Sequence, residues 1–233
     1  LINSPVVDDP DAVNLRKKIN EQGQCEVGTH IHPWNTPPFE DATTSPRSYL
    51  NNLEIDTQRI KIQHVTDSIK SKFGESPTSF RAGRYGLDIV GARILQDLGY
   101  CVDSSVCPFT DYSGDGGPDF RGFPWTPYFI GESLADRTTD KDALLEVPVS
   151  FGFNWVNFES AFRIHEMLAK KPIRYFRLRG ILSRLKLLQK IKFSPEKHDA
   201  RELTKLATSY SEQKCPVLVM MFHSSSLVPG GSP

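Results

Sequence analysis

The chain lacks an excess of charge of either sign. In its 233 residues, 28 Lys and Arg stand against 28 Asp and Glu, which argues against a basic footprint for nucleic acid or a general attraction to acidic surfaces. It also lacks any apolar run near the ~20 residues that span a bilayer, so no transmembrane segment is expected. Cysteine is scarce: Cys25, Cys101, Cys107 and Cys215 are widely spaced and form no Cys-x-x-Cys pair. Buried free thiols are therefore expected rather than disulfides, which leans toward a reducing, cytoplasmic compartment. There is no internal repeat, no low-complexity segment and no visible signal peptide. Because the chain opens on Leu1 rather than Met and stops at Pro233, it is read as truncated at both ends, and localisation is left open. One soluble globular domain over 1–233 is expected.

What is present alternates between strand and helix. Val6-Val7 reads as the end of a first apolar strand. Asp9-Pro10 caps a helix whose Ala12, Leu15 and Ile19 share one face, closed by Gly23. A second helix starts at Asp56, places Ile62, Val65, Ile69 and Phe73 on one stripe and ends at Gly74; a third carries Val90, Ile94 and Leu98 and ends at Gly99. Ser79-Phe80-Arg81, Tyr100 to Val106 and Leu144 to Val149 read as strands, and Pro216 to Phe222, apolar without alternation, as a strand buried on both faces. This order predicts a parallel sheet with helices outside it, whose chemistry collects at the carboxyl ends of the strands. Two stretches break the rhythm. Residues 108–142, rich in Gly, Pro, Asp and aromatics, read as a long ordered loop or hairpin insertion forming a substrate wall. Residues 174–192 are basic and amphipathic, which fits a membrane-surface or anionic-glycan patch, although a solvated helix face over the core is the default.

The strand ends carry the candidate site. In Cys25 to Ile31 the residues alternate, and Pro33 stops the strand. Period two puts His30 and His32 on one side, about 7 Å apart along the strand, where both rings can turn onto one zinc-like ion. Two surface histidines beside a proline turn is the plainer alternative, but the Trp-Asn-Thr-Pro-Pro loop that follows suits a cleft wall. The other strand ends offer Arg81 with Arg84 and Tyr85, Asp103 with Ser104 and Ser105, and His223. Each has a structural explanation alone, as ion-pair residue, cap or core histidine; together they describe a site.

Glu26-Val27-Gly28-Thr29-His30-Ile31-His32-Pro33 resembles the metal-ligand motif of the polysaccharide deacetylases, the NodB-homology or carbohydrate esterase family 4 enzymes. Phe80-Arg81-Ala82-Gly83-Arg84-Tyr85-Gly86 is similar to their arginine motif, and Val217 to His223 to their terminal histidine motif, in the family's order. Other segments resemble a branch associated with bacterial surface polysaccharide or exopolysaccharide. The resemblance implies a single catalytic domain with an α/β fold, a distorted barrel of about seven β/α units whose first strand is missing or incomplete here. It implies hydrolysis of N-acetyl groups on an acetylated polysaccharide or oligosaccharide with a divalent metal, zinc foremost, that polarises the acetyl carbonyl and activates water. His30 and His32 would be metal ligands, Arg81 would orient the catalytic base, and His223 would be the general acid. Trp34, Tyr85, Asp103 and Trp125 would contact the sugar.

The chain departs from the family pattern twice. The usual ligand pair is His-x-x-x-His, whereas the spacing here is His-x-His. The aspartate motif that supplies base and ligand sits on the family's first strand, and nothing in Leu1 to Val7 matches it. Two other functions fit the same residues: a catalytically silent barrel that binds glycan through Trp34, Tyr85 and Trp125, and a same-fold amidase acting on a small non-sugar amide.

Overall fold

A computed structural model describes residues 1–23, 25–39 and 44–230. The chain divides into two compact units, Leu1–Val106 with Thr110–Pro148, and Cys107–Phe109 with Val149–Pro233.

The first unit opens on α1 (Ser4–Asp8), where the apolar pair Val6-Val7 predicts a strand; Asn3 and Pro5 begin a helical turn there and only Ile2 pairs with the sheet, through a parallel bridge to Thr29. In α2 (Pro10–Asn20) the Asp9 carboxylate accepts from the N–H groups of Asp11 and Ala12, both at 2.9 Å, as its capping position predicts. The expected apolar face is not the buried one: Leu15 and Ile19 are exposed and Val13 is buried. There follow β1 (Thr29–Ile31), α3 (Ile55–Phe73), β2 (Ser79–Ala82), α4 (Ile89–Asp97) and β3 (Val102–Asp103). The α3 stripe of Ile62, Val65 and Ile69 is fully buried, and the helix ends at Gly74, whose φ of 86° only glycine adopts freely. The long insertion contains a hairpin, β4 (Tyr128–Ile130) and β5 (Arg137–Thr138), before β6 (Leu145–Glu146).

These strands form one sheet in the order β1-β2-β3-β6-β4-β5. β1, β2, β3 and β6 run parallel, each pair joined through intervening chain, and β4 and β5 extend the sheet antiparallel. A buried relay of hydroxyls fastens β1 to α3. Thr66 Oγ1 donates to the Ile62 carbonyl at 2.7 Å, so Tyr100 Oη donates to Thr66 and Thr29 Oγ1 donates to Tyr100, each at 2.7 Å.

The second unit pairs β7 (Phe151–Phe153) antiparallel with β8 (Lys190–Lys192), and adds α5 (Phe158–Met167), α6 (Leu178–Arg184) and α7 (Ala200–Glu212). Phe109, Phe153, Phe158, Leu206 and Tyr210 form its core. Gly152 admits no side chain, because a Cβ there would come within 2.6 Å of the Phe158 ring and 2.7 Å of Leu206. A capping box of Asp199 and Glu202 opens α7. The expected buried strand at 216–222 is not one. It runs extended with no ladder of its own, tied by Val219 N–H to Ser150 Oγ at 2.9 Å and Met221 N–H to the Phe193 carbonyl at 3.0 Å, and Val217, Leu218, Met220 and Phe222 stand exposed. Of the four cysteines, all free, Cys107 is buried, Cys215 half-buried, and Cys25 and Cys101 exposed, against the expectation of buried thiols.

Candidate functional site

The register of β1 on β2 sets His30 beside Arg81 and Ile31 beside Ala82. Period two then turns Ile31, Phe80 and Ala82 into the core and leaves His30 and Arg81 on the other face. His30 Nδ1 lies 2.8 Å from the Arg81 carbonyl. A carbonyl only accepts, so Nδ1 carries the hydrogen and the neutral ring keeps its lone pair on Nε2. That Nε2 is 3.1 Å from His32 Nε2. Two imidazole nitrogens on one tetrahedral zinc, at about 2.05 Å each, would stand about 3.3 Å apart, so the two rings are already at a ligand pair's separation despite the short His-x-His spacing.

The His32 ring is held from both sides. Trp34 packs on it with centroids 4.3 Å apart and planes at 33°, while a Cβ on Gly83 would fall 2.2 Å from its Nδ1. The turn that carries Trp34, Pro33–Asn35, is anchored from beneath by Lys61 of α3. This lysine is buried, and its ammonium donates to the carbonyls of Pro33, Thr36 and Pro38 at 3.0, 2.7 and 2.6 Å.

Arg81 is spent on the neighbouring strand end: Nε donates to the Ser104 carbonyl at 2.8 Å and Nη2 to Ser104 Oγ at 2.7 Å. The chain then turns through Gly83–Tyr85, where Arg84 (φ 54°) and Tyr85 (φ 64°) both adopt left-handed conformations, at a cost of about 1–2 kcal/mol per residue. Arg84 offsets this strain with hydrogen bonds to Ser48 Oγ at 2.6 Å and Tyr49 Oη at 3.0 Å, an ion pair with Asp115, and a position 4.4 Å above the Tyr49 ring. Burial, and then its hydrogen bond to Asp115 at 2.7 Å, push the Tyr49 hydroxyl up to about 12. The strained turn delivers Tyr85 onto Tyr112, centroids 5.8 Å apart with planes at 23°, making an aromatic platform on the insertion. Trp125 is half-buried in the loop before β4.

Asp103, expected at the sugar, has no exposed surface. Its carboxylate accepts from Ser105 N–H at 2.9 Å and Ser105 Oγ at 2.7 Å, and the β3–β6 register sets it beside Glu146, also fully buried. Glu146 Oε1 accepts from Val106 N–H at 3.0 Å, whereas no protein donor is aimed at Oε2. Two adjacent carboxylates cannot both ionise without water, so one proton stays on the pair. Burial raises both carboxyls, and Glu146, pushed well above 4.5 by burial and then by the Asp103 charge, is the one that keeps the proton.

In the second unit His223 is exposed and paired with Glu196, whose Oε1 accepts from His223 N–H at 2.7 Å, His223 Nδ1 at 2.9 Å and Ser226 Oγ at 2.5 Å. Burial acts to raise the Glu196 pKa, but these hydrogen bonds outweigh it and hold the carboxyl at about 2. With Nδ1 engaged, the ring presents Nε2 to solvent. Sequence reasoning missed Lys61, Glu146 and Glu196. The first two had a signal, a cation on the buried stripe of α3 and a carboxylate inside an apolar strand; Glu196, in a loop, had none.

Among the described residues no group of three or more His, Cys, Asp or Glu is placed to hold a metal, so the histidines stand as a pair. No helix among them is long and apolar enough to cross a membrane. No family model matches the chain, and no curated protein does. A solved structure from Mycobacterium smegmatis, whose own assignment as a polysaccharide deacetylase is provisional, is similar over 92% of this chain and 71% of that one, at 14% identity and a TM-score of 0.37.

Proposed function

We propose that the protein is a metal-dependent polysaccharide N-deacetylase on a distorted β/α barrel. The observation that carries this reading is the convergence of His30 Nε2 and His32 Nε2 to 3.1 Å, with His30 Nδ1 committed to the Arg81 carbonyl. A ring oriented by a carbonyl behind it is the usual arrangement of a metal-bound histidine. His30 and His32 would hold the ion, and a zinc-like ion supplies Lewis acidity toward an acetyl carbonyl and lowers the pKa of water toward about 7.

Other residues of the chain have roles in this reading. Trp34 and the Tyr85–Tyr112 platform offer flat faces to pyranose rings, with Trp125 as a further contact. Arg81 fixes the strand end at Ser104 and, through its carbonyl, the tautomer of His30. By the resemblance, His223, whose Nδ1 is held by Glu196, would be the general acid that protonates the amine nitrogen as the C–N bond breaks, water's oxygen staying with the acetate. The test is acetate release from N-acetylated chito-oligosaccharide by the full-length protein, with and without a chelator. Activity that survives chelation, or survives His32→Ala, overturns the reading.

A second reading is favoured by one observation, the absence of a third ligand beside the two histidines among the described residues. In it the aromatic platform binds glycan without turning it over. Glycan affinity that persists through chelation and His30→Ala, with no acetate released, would select it.

A further inference from the structure

Between Glu166 and Glu196 the chain carries nine Lys and Arg and not one Asp or Glu, although its charges cancel overall. Amphipathic spacing by default predicts an apolar stripe packed on the core with the basic residues in water. The structure has the apolar side outward as well. Tyr175 and Phe176 are 67% and 68% exposed, and Leu178, Ile181 and Leu185, at i, i+3 and i+7 on one face of α6, are exposed with them. The inward anchor is Leu188, 3% exposed, with the half-buried Leu182 taking the Leu187 N–H at 2.9 Å. Two rings of about 150–250 Å² each, two-thirds in water, leave about 200–330 Å² exposed, and the exposed Leu178, Ile181 and Leu185 add to it, toward the few hundred Å² beyond which an apolar patch marks an interaction site.

The cations on this face are not held by carboxylates, and Arg174 lies 5.9 Å from the centre of the exposed Tyr175 ring. Among the described residues Lys170, Lys171, Arg174, Arg177, Arg179 and Arg184 have no carboxylate at ion-pair distance, whereas Lys186, at its edge, is held by Glu202 at 3.0 Å and Asp199 at 3.6 Å. We propose that this face docks on anionic lipid headgroups, making the protein a peripheral membrane protein. An anionic glycan would satisfy the arginines but has no use for exposed Ile181 and Leu185. A membrane surface takes both, with guanidinium groups at the phosphates and the apolar side chains at the acyl boundary. The inference is independent of the deacetylase reading.

The experiment is co-sedimentation of the full chain with vesicles of phosphatidylcholine alone, or with a third of it replaced by phosphatidylglycerol, at low and high salt. Binding to the anionic vesicles only is expected. Together, Arg174→Gln, Arg177→Gln, Arg179→Gln and Arg184→Gln reduce partitioning by on the order of several hundredfold, about fivefold per charge. Tyr175→Ser with Phe176→Ser keeps the low-salt binding and abolishes the part that survives high salt. All six side chains are at the surface, so circular dichroism and Tm stay unchanged. No binding to anionic vesicles, equal binding to neutral ones, or retention on alginate with the vesicles ignored would each overturn the proposal.

Discussion

Replacing Glu146 with glutamine tests where the buried proton sits. If Glu146 is the protonated member of the pair, its folded pKa lies well above the 4.5 of the unfolded chain. Between those two values the folded state binds one more proton than the unfolded state, so stability falls as pH rises, by about 1.4 kcal/mol per pH unit. The contribution is fully present below 4.5 and is lost progressively up to the folded pKa. Glu146→Gln removes the titration while keeping the contacts: an amide N–H replaces the carboxyl O–H toward Asp103, and the amide oxygen still accepts from Val106 N–H at the 3.0 Å site. The variant should lose the part of that slope that Glu146 carries and be more stable than the wild type at neutral pH. Asp103→Asn behaves differently, because Ser105 N–H and Ser105 Oγ both donate to that carboxylate and an amide NH₂ turned toward either leaves buried donors opposed. It should cost about 2–4 kcal/mol. Urea unfolding followed from about pH 5 to about pH 8 reads both. Equal destabilisation by the two substitutions, or an unchanged slope in Glu146→Gln, would refute the proton assignment.

Three other perturbations have definite outcomes. Lys61→Met strands the carbonyls of Pro33, Thr36 and Pro38 under the Trp34 turn, and should cost about 3–5 kcal/mol in unfolding free energy and at least about tenfold in zinc affinity by titration. Gly83→Ala, whose Cβ would sit 2.2 Å from His32 Nδ1, should lower zinc affinity by a similar factor while the far-UV spectrum is kept. In the second unit, hydrogen bonds from Gln189, then Lys186 and His198, hold Glu202 at about 2, so its contribution is present above 4.5 and lost as pH falls toward 2. Glu202→Gln should remove about 3 kcal/mol at most, less for solvent screening, and flatten the acid limb of the stability–pH curve.

The parts legible in the sequence were those ruled by one local period. The α3 stripe, its stop at Gly74, the Asp9 cap and the shared face of His30 and His32 all follow from spacing and single-residue stereochemistry. What the sequence hid depends on neighbours. A run such as Val217 to Phe222 says apolar, but whether it gains a partner on each side is decided elsewhere in the chain, and the extended segment has no ladder. The segment 174–187 is likewise amphipathic whichever way it faces, and its aromatic side lies outward. Lys61 could be placed on a buried stripe, but the three carbonyls that make it tolerable belong to a turn more than 20 residues earlier. Asp103 read as a strand-end polar residue because Glu146, its neighbour in the sheet, is remote in sequence.

The most direct test of the metal reading is X-ray absorption at the zinc edge on the zinc-loaded full-length protein. Bound zinc with imidazole scattering from two rings at about 2.0–2.1 Å, reduced to one ring in His30→Ala, is the expected result. A protein that takes up no zinc, or a bound zinc whose spectrum is unchanged by that substitution, would contradict it.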